Sequence, residues 1–180
     1  VNTASGYNST VSGGRFNTSN GVGSTVSGGF CNNIFGEYSS IIGGCQNEIS
    51  GCNSIIGGGR FNSVSGIESF VGGGNSNLVI GDLSTIAGGT GNIASGTTST
   101  IVGGSSNTAI GVCSGILGGR CNVVQHDCSF IVGYGITTSC PNTTYVNCLS
   151  IIDLPTSSAG LPSKSVYYCP TDLNRIYFVP

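Results

Sequence analysis

The chain contains no methionine, no tryptophan, a single histidine and only five basic residues among 180. Each shortage removes a class of function. Five Lys and Arg cannot track a phosphate backbone, because affinity for nucleic acid grows with the number of phosphates neutralised. His126 is the only imidazole and no Cys-x-x-Cys occurs, so no recurrent zinc spacing is present. No apolar run approaches the ~20 residues that cross a bilayer, and the residues after Val1 lack the charged-then-apolar pattern of a signal peptide. Nucleic-acid binding, membrane insertion and a bound cofactor are therefore not expected. The start on Val1, within a repeat, is read as a processed chain or part of a longer one.

What is abundant is glycine, 32 residues of it, beside only 7% charged residues and a formal charge of −2. Such a composition can describe a disordered chain. Strict periodicity excludes that here. Glycine recurs every fifteen residues from Gly13 and Gly28 through Gly118 to Gly133, serine from Ser9 to Ser129, asparagine from Asn2 to Asn122, and a branched aliphatic residue from Val11 to Ile131. A third glycine column runs from Gly6 to Gly111 and ends at His126. The unit reads Ser-x-Ile/Val-x-Gly-Gly-x-x-Asn-x-Ala/Ile/Val-x-Gly-x-x.

Alternating inward candidates (Ser9, Val11, Gly13, then Asn17, Ser19, Gly21) fit two short strands of period two, with glycine bends between them. A helix is excluded, since interior glycines would cost about 1 kcal/mol each and the 3.6 period does not fit. Stacked in register at roughly 4.8 Å per step, the copies form an all-β parallel solenoid of about nine 15-residue coils, ~40 Å long. Residues 1–133 are assigned to this solenoid, and 134–180 to an irregular C-terminal β segment that caps it and holds protomers together. The glycines are expected to supply positive φ and close approach at two bends. The asparagines are expected to bond amide to amide up the axis, and the serines likewise more weakly. The aliphatic column and its partner (Ile34, Ile49, Val64, Val79, Ala94, Ala109, Val124) make a core one or two side chains thick.

With Val11 inward, its neighbours face out, and on that face Ile42, Ile55, Phe70, Val102, Leu117, Phe130 and Val132 make an apolar row. A contiguous apolar face asks for cover. These seven residues are the candidate protomer interface. The opposite outer face is apolar only around Leu78, Ile80, Ile93 and Ile110.

The nine cysteines fall in informative columns. Cys113 and Cys128 are one period apart and are the better candidate disulfide; Cys31 and Cys45, one column apart on adjacent coils, are a looser one. Cys140, Cys148 and Cys169 follow no spacing rule. Of three N-glycosylation patterns, those at Asn8 and Asn17 use repeat residues, while Asn142-Thr143-Thr144 lies outside the regular repeat and is the candidate site. His126 marks the end of the regular coils. No catalytic or metal site is assigned: Glu37 and Asp82 share a column but stand three coils, roughly 14 Å, apart, beyond the ~5–9.5 Å of glycosidase pairs. The chain is not expected to be an enzyme.

The rhythm Gly-x-x-Ser-x-Ile-x-Gly-Gly-x-x-Asn-x-Ala-x-Gly, as in Ser84 to Gly111, resembles the head repeat of YadA-like trimeric adhesins. That resemblance covers Val1 to about Gly133 and implies a left-handed parallel β-roll that forms a homotrimer. Similar rolls occur in viral and phage fibre and tail proteins. The stretch from Ile151 to Pro180 is similar to short C-terminal endings of such proteins, where a final β segment caps the trimer. The expected function is a structural virion fibre, tail or capsid surface-decoration protein with a host-attachment role, located on the virion surface or outside the cell. Its expected partners are its own copies, other virion proteins, and a host-surface receptor or glycan. A cell-surface trimeric adhesin binding host matrix or glycans is the alternative. An ice-binding solenoid is the second, through the row Thr10, Thr25, Ser40, Ile55, Phe70, Thr85, Thr100, Gly115, Phe130.

Overall fold

The computed structural model describes residues 1–147 and the strand residues 166–169 and 175–178. Residues 1–147 form one compact unit, a parallel β-solenoid. Each coil contributes a short strand, of two residues in most coils, to a nine-stranded sheet, which begins at Thr3–Ala4 and ends at Val123–Val124, and another to a ten-stranded sheet, which begins at Thr10–Val11 and ends at Thr144–Val146. Every pairing within the two sheets is parallel, with a register of fifteen residues over most of the stack, for example Ile41 with Ile56 and Val64 with Val79. A third narrow ladder of single bridges joins Arg15, Phe30, Cys45, Arg60, Asn75, Thr90, Ser105 and Arg120.

The strands are short because each coil must turn through a full loop in fifteen residues. One aliphatic side chain from each sheet points inward per coil, and fifteen of them, from Val26 to Ile131, are fully buried in a single cluster. Fully burying a Val or Ile contributes roughly 1.5–3 kcal/mol, so this column of paired side chains is the principal source of stability.

Glycine enters in two distinct ways. At Gly36 a Cβ would stand 2.1 Å from the carbonyl oxygen of Gly51 on the next coil, so close approach alone demands glycine there. At Gly44 the backbone has φ +92° and a Cβ would lie 2.1 Å from the Gly59 oxygen, so both reasons apply. The first glycine of each doublet differs: at Gly43 an added Cβ would meet nothing, and the structure offers no packing reason for it. Positive φ is also carried at two further positions per coil, mostly by ordinary residues, among them Phe61, Leu83, Thr98 and Cys113. Glycine thus supplies positive φ in the Gly44 column and close approach in the Gly36 column, as expected, and two more left-handed positions per coil are held by residues whose N–H bonds to the neighbouring coil, as Leu83 N–H does to the Ile67 carbonyl (2.8 Å).

The asparagine column also works differently from a simple amide ladder. Asn62 accepts at Oδ1 from the backbone N–H of Asn77 (3.0 Å), while its own Nδ2 donates to the carbonyls of Gly58 (3.0 Å) and Gly74 (3.2 Å). Each buried amide thus stitches its own glycine bend to the next coil, and amide-to-amide bonds such as Asn62 to Asn47 (3.2 Å) are secondary. The serines add a second seam, with Ser54 donating to the Gly66 carbonyl (2.9 Å) and accepting from Ser69 N–H (3.0 Å). Buried backbone carbonyls need such partners, and these columns supply them.

The stack continues beyond the boundary expected at Gly133. Between Ile116 and Gly118 the register slips by one residue, and Phe130 then pairs with Thr144, Ile131 with Tyr145 and Val132 with Val146, a 14-residue step to the tenth strand of this sheet, and the unit ends at Asn147. His126 takes the close-approach glycine column where the coil above shortens, with Nδ1 3.0 Å from Thr138 Oγ1. Tyr145 closes this end: its ring packs on the core and its hydroxyl accepts from the N–H groups of Ser139 (2.9 Å) and Cys140 (2.8 Å). A second unit begins at Cys148 and contains an antiparallel hairpin of Val166–Cys169 with Arg175–Phe178. Pro155, Pro162 and Pro170, and the remainder of the expected cap, lie outside the described residues.

Candidate interaction surfaces

The outer face of the ten-stranded sheet carries two columns per coil, one at the strand's first residue and one just after its second. All seven residues of the candidate interface lie here and are exposed, from 39% at Phe70 to 60% at Ile42. From Thr10 to Val146 these two columns contain no charged residue. Size alternates across them: Ile55 stands beside Gly57, Phe70 beside Gly72, Gly115 beside Leu117. Two of the hollows left by glycine border rings. A Cβ on Gly115 would fall 2.5 Å from the Phe130 ring, which lies over it, and one on Gly72 would touch Phe70 at 3.4 Å. The result is an uncharged, largely apolar strip. Val146 extends it by one coil, a residue placed beyond reach of the sequence pattern by the one-residue slip.

The other outer face, on the nine-stranded sheet, holds Glu48 and is mostly polar toward its start apart from the exposed Phe35; Leu78 and Ile93 are half-buried there and Ile80 and Ile110 exposed. At the bridge bend a separate cluster forms. Phe16 and Phe30 meet edge to face at 5.8 Å, and the Arg15 guanidinium lies 4.6 Å over the Phe16 ring. Arg60 sits similarly near Phe61 at 5.7 Å. The signal for this cluster is legible in the recurring Gly-Gly-Arg-Phe-Asn, at 13–17 and 58–62.

The cysteine expectations are corrected. Cys31, Cys45, Cys113 and Cys128 are all free thiols, as are the other described cysteines. Cys113 and Cys128 do share a column, but parallel side chains on an in-register stack keep their Cβ atoms near the ~4.8 Å strand spacing, wider than the ~3.8 Å typical of a disulfide. Cys113 instead receives a hydrogen bond from the Thr98 hydroxyl (3.0 Å). Cys31 lies in a left-handed column (φ 55°) and Cys45 in the bridge ladder, so they occupy different positions of the bend.

Asn142 is exposed, also in a left-handed conformation. Asn17, by contrast, is fully buried with its amide nitrogen donating to Gly13 and Gly29, which removes it as an acceptor for glycans. Among the acids, Asp82 accepts from the Ile67 N–H (2.8 Å) and Asp127 from the Val112 N–H (2.7 Å), pinning exposed bends. Among the described residues no three His, Cys, Asp or Glu are gathered where they could hold a metal ion, and no helix is long and apolar enough to cross a membrane.

These features define a class, a parallel β-solenoid of 15-residue coils with one uncharged, largely apolar face. No family model matches the chain and no curated protein matches it, so the likeness to trimeric adhesin heads and viral fibres rests on the repeat pattern and the solenoid architecture alone.

Proposed function

We propose that the protein is a structural, self-associating solenoid, a fibre or surface-decoration component of a virion that works as a homotrimer at the virion surface or outside the cell, and that it has no catalytic role. One observation carries this reading: the exposed apolar residues Ile42, Ile55, Phe70, Val102, Leu117, Phe130 and Val132 share a single uncharged sheet face. Apolar strips of this kind mark contact surfaces, since leaving them in water forfeits ~25 cal/mol for each Å² that could be covered. The asparagine and serine seams support a passive, rigid role, because they bind every coil to its neighbours and leave few polar side chains free for chemistry. Solution mass tests the reading directly. A trimer mass that falls to the monomer in Leu117→Asp supports it, while a wild-type chain that stays monomeric at all accessible concentrations removes it.

Attachment to a host receptor or glycan, the adhesin reading, is favoured by a different observation. Arg15, Phe16 and Phe30 place two exposed rings and a cation together at one bend, the combination that stacks on sugar faces and on partner side chains. The ice-binding reading gains no such support, because the row from Thr10 to Phe130 alternates threonine with Ile55, Phe70 and Gly115.

A further inference from the structure

The charged residues of the solenoid are not scattered. Arg15, Arg60 and Arg120, all the basic residues of residues 1–147, stand in one bridge ladder. Four of the five acids of the same segment stand at the other bend, half a coil away: Glu37, Asp82 and Asp127 in one column and Glu68 in the next. Their backbones are tied into that bend by bonds from coil to coil, such as Asn53 N–H to the Glu37 carbonyl and Glu68 N–H to the Cys52 carbonyl. Arg60, Glu68, Arg120 and Asp127 are exposed. Between the two bends lies the apolar, uncharged face of the ten-stranded sheet. Because all its strands are parallel, each runs from the acidic edge to the basic edge.

This polarity has a geometric consequence for any pair of copies that pack through that face. When two copies lie parallel and are related by rotation about an axis along the stack, the basic edge of one adjoins the acidic edge of the other. When they lie antiparallel, like edges meet. Unlike edges also match in height. Arg60 precedes Glu68 by eight residues and Arg120 precedes Asp127 by seven, about half a coil, so on the strand spacing each pair differs by only ~2.5 Å along the axis. Arg15 faces Asn8 and Gly23 on the same reasoning, and Glu37 and Asp82 face uncharged ladder residues, so no like charges are opposed.

We infer that the partner for this face is a second copy of the chain in parallel, level orientation, with Arg60 and Arg120 of one copy set against Glu68 and Asp127 of the next, so that the charged edges select parallel over antiparallel assembly. The inference rests on the self-association proposed above and adds its orientation. Charge complementarity at a rim contributes little raw affinity but penalises wrong registers and orientations, which is the role assigned here.

Charge exchange tests it, read as solution mass against concentration at low and high salt. Arg60→Glu and Glu68→Arg each oppose like charges across the contact and are expected to raise the dissociation constant about 10-fold at low salt, with the loss shrinking at high salt. The double variant Arg60→Glu/Glu68→Arg restores the unlike pair and is expected to recover wild-type assembly. Far-UV dichroism of all three checks that these exposed substitutions leave the fold intact. A wild-type chain that is monomeric overturns the self-association reading and this inference with it. A wild-type chain that assembles, with single variants that do so equally well or a double variant that stays impaired, overturns the parallel edge pairing alone.

Discussion

At the scale of the residue, the repeat assigns two kinds of backbone stress to different side chains. Gly44 lies at φ +92° with the Gly59 oxygen where its Cβ would be, whereas Leu83 lies at φ 57° with a full side chain. A left-handed conformation costs an ordinary L-residue roughly 1–2 kcal/mol, and asparagine tolerates it better. Two substitutions should therefore move stability in opposite directions. Leu83→Asn is expected to stabilise by about 0.5–1 kcal/mol, seen as a higher thermal midpoint, and Gly44→Ala to destabilise by at least ~2 kcal/mol. An unchanged midpoint in Gly44→Ala would mean that the coils can separate locally without loss. The first glycine of the doublet carries no comparable constraint, as the open space around a Cβ at Gly43 shows.

At the scale of the element, no single strand is a unit of stability. Most are two residues long, and they survive only because aliphatic, asparagine and serine columns join them to the strands above and below. In the last described coil Tyr145 adds to these seams. Its hydroxyl satisfies two backbone N–H groups that the stack leaves over, at Ser139 and Cys140. Removing that oxygen in Tyr145→Phe leaves both donors to find water and is expected to cost about 1–2 kcal/mol. The effect should be local. Amide hydrogen exchange is expected to speed up across residues 134–147 while the central coils keep their protection, and uniform acceleration along the stack would contradict a capping role.

At the scale of the whole solenoid, the fifteen-residue register is what neighbouring coils recognise in one another. Deleting residues 84–98 removes one full period and brings Leu83 before Ser99, so every inward column remains aligned. The shortened chain is expected to fold with the same dichroism per residue and a single cooperative transition. Deleting 84–97 instead shifts all later residues by one position, which turns Ile101 and Ala109 outward and is expected to abolish the cooperative transition. The native stack contains such a slip only once, at the end, where the bulge between Ile116 and Gly118 lets the last coil close over the core with fourteen residues. Equal behaviour of the two deletions would show that register is not what holds the coils together.

The sequence by itself determined the parallel stack, its period, the inward aliphatic columns and the outward apolar row, because a side chain's facing in a strand follows from its place in the count and the count never varies from Val11 to Ile131. It also displayed, without announcing it, the segregation of Arg15, Arg60 and Arg120 from the acids. Only the tertiary structure decided matters of distance and angle. It left Cys113 and Cys128 as thiols on parallel side chains, sent the asparagine amides to glycine carbonyls, and placed left-handed residues where no glycine stands. It also carried the stack past Gly133 to Tyr145. The physical reason is common to these cases: periodicity fixes which residues are neighbours, while hydrogen-bond geometry and the room between coils fix what those neighbours do.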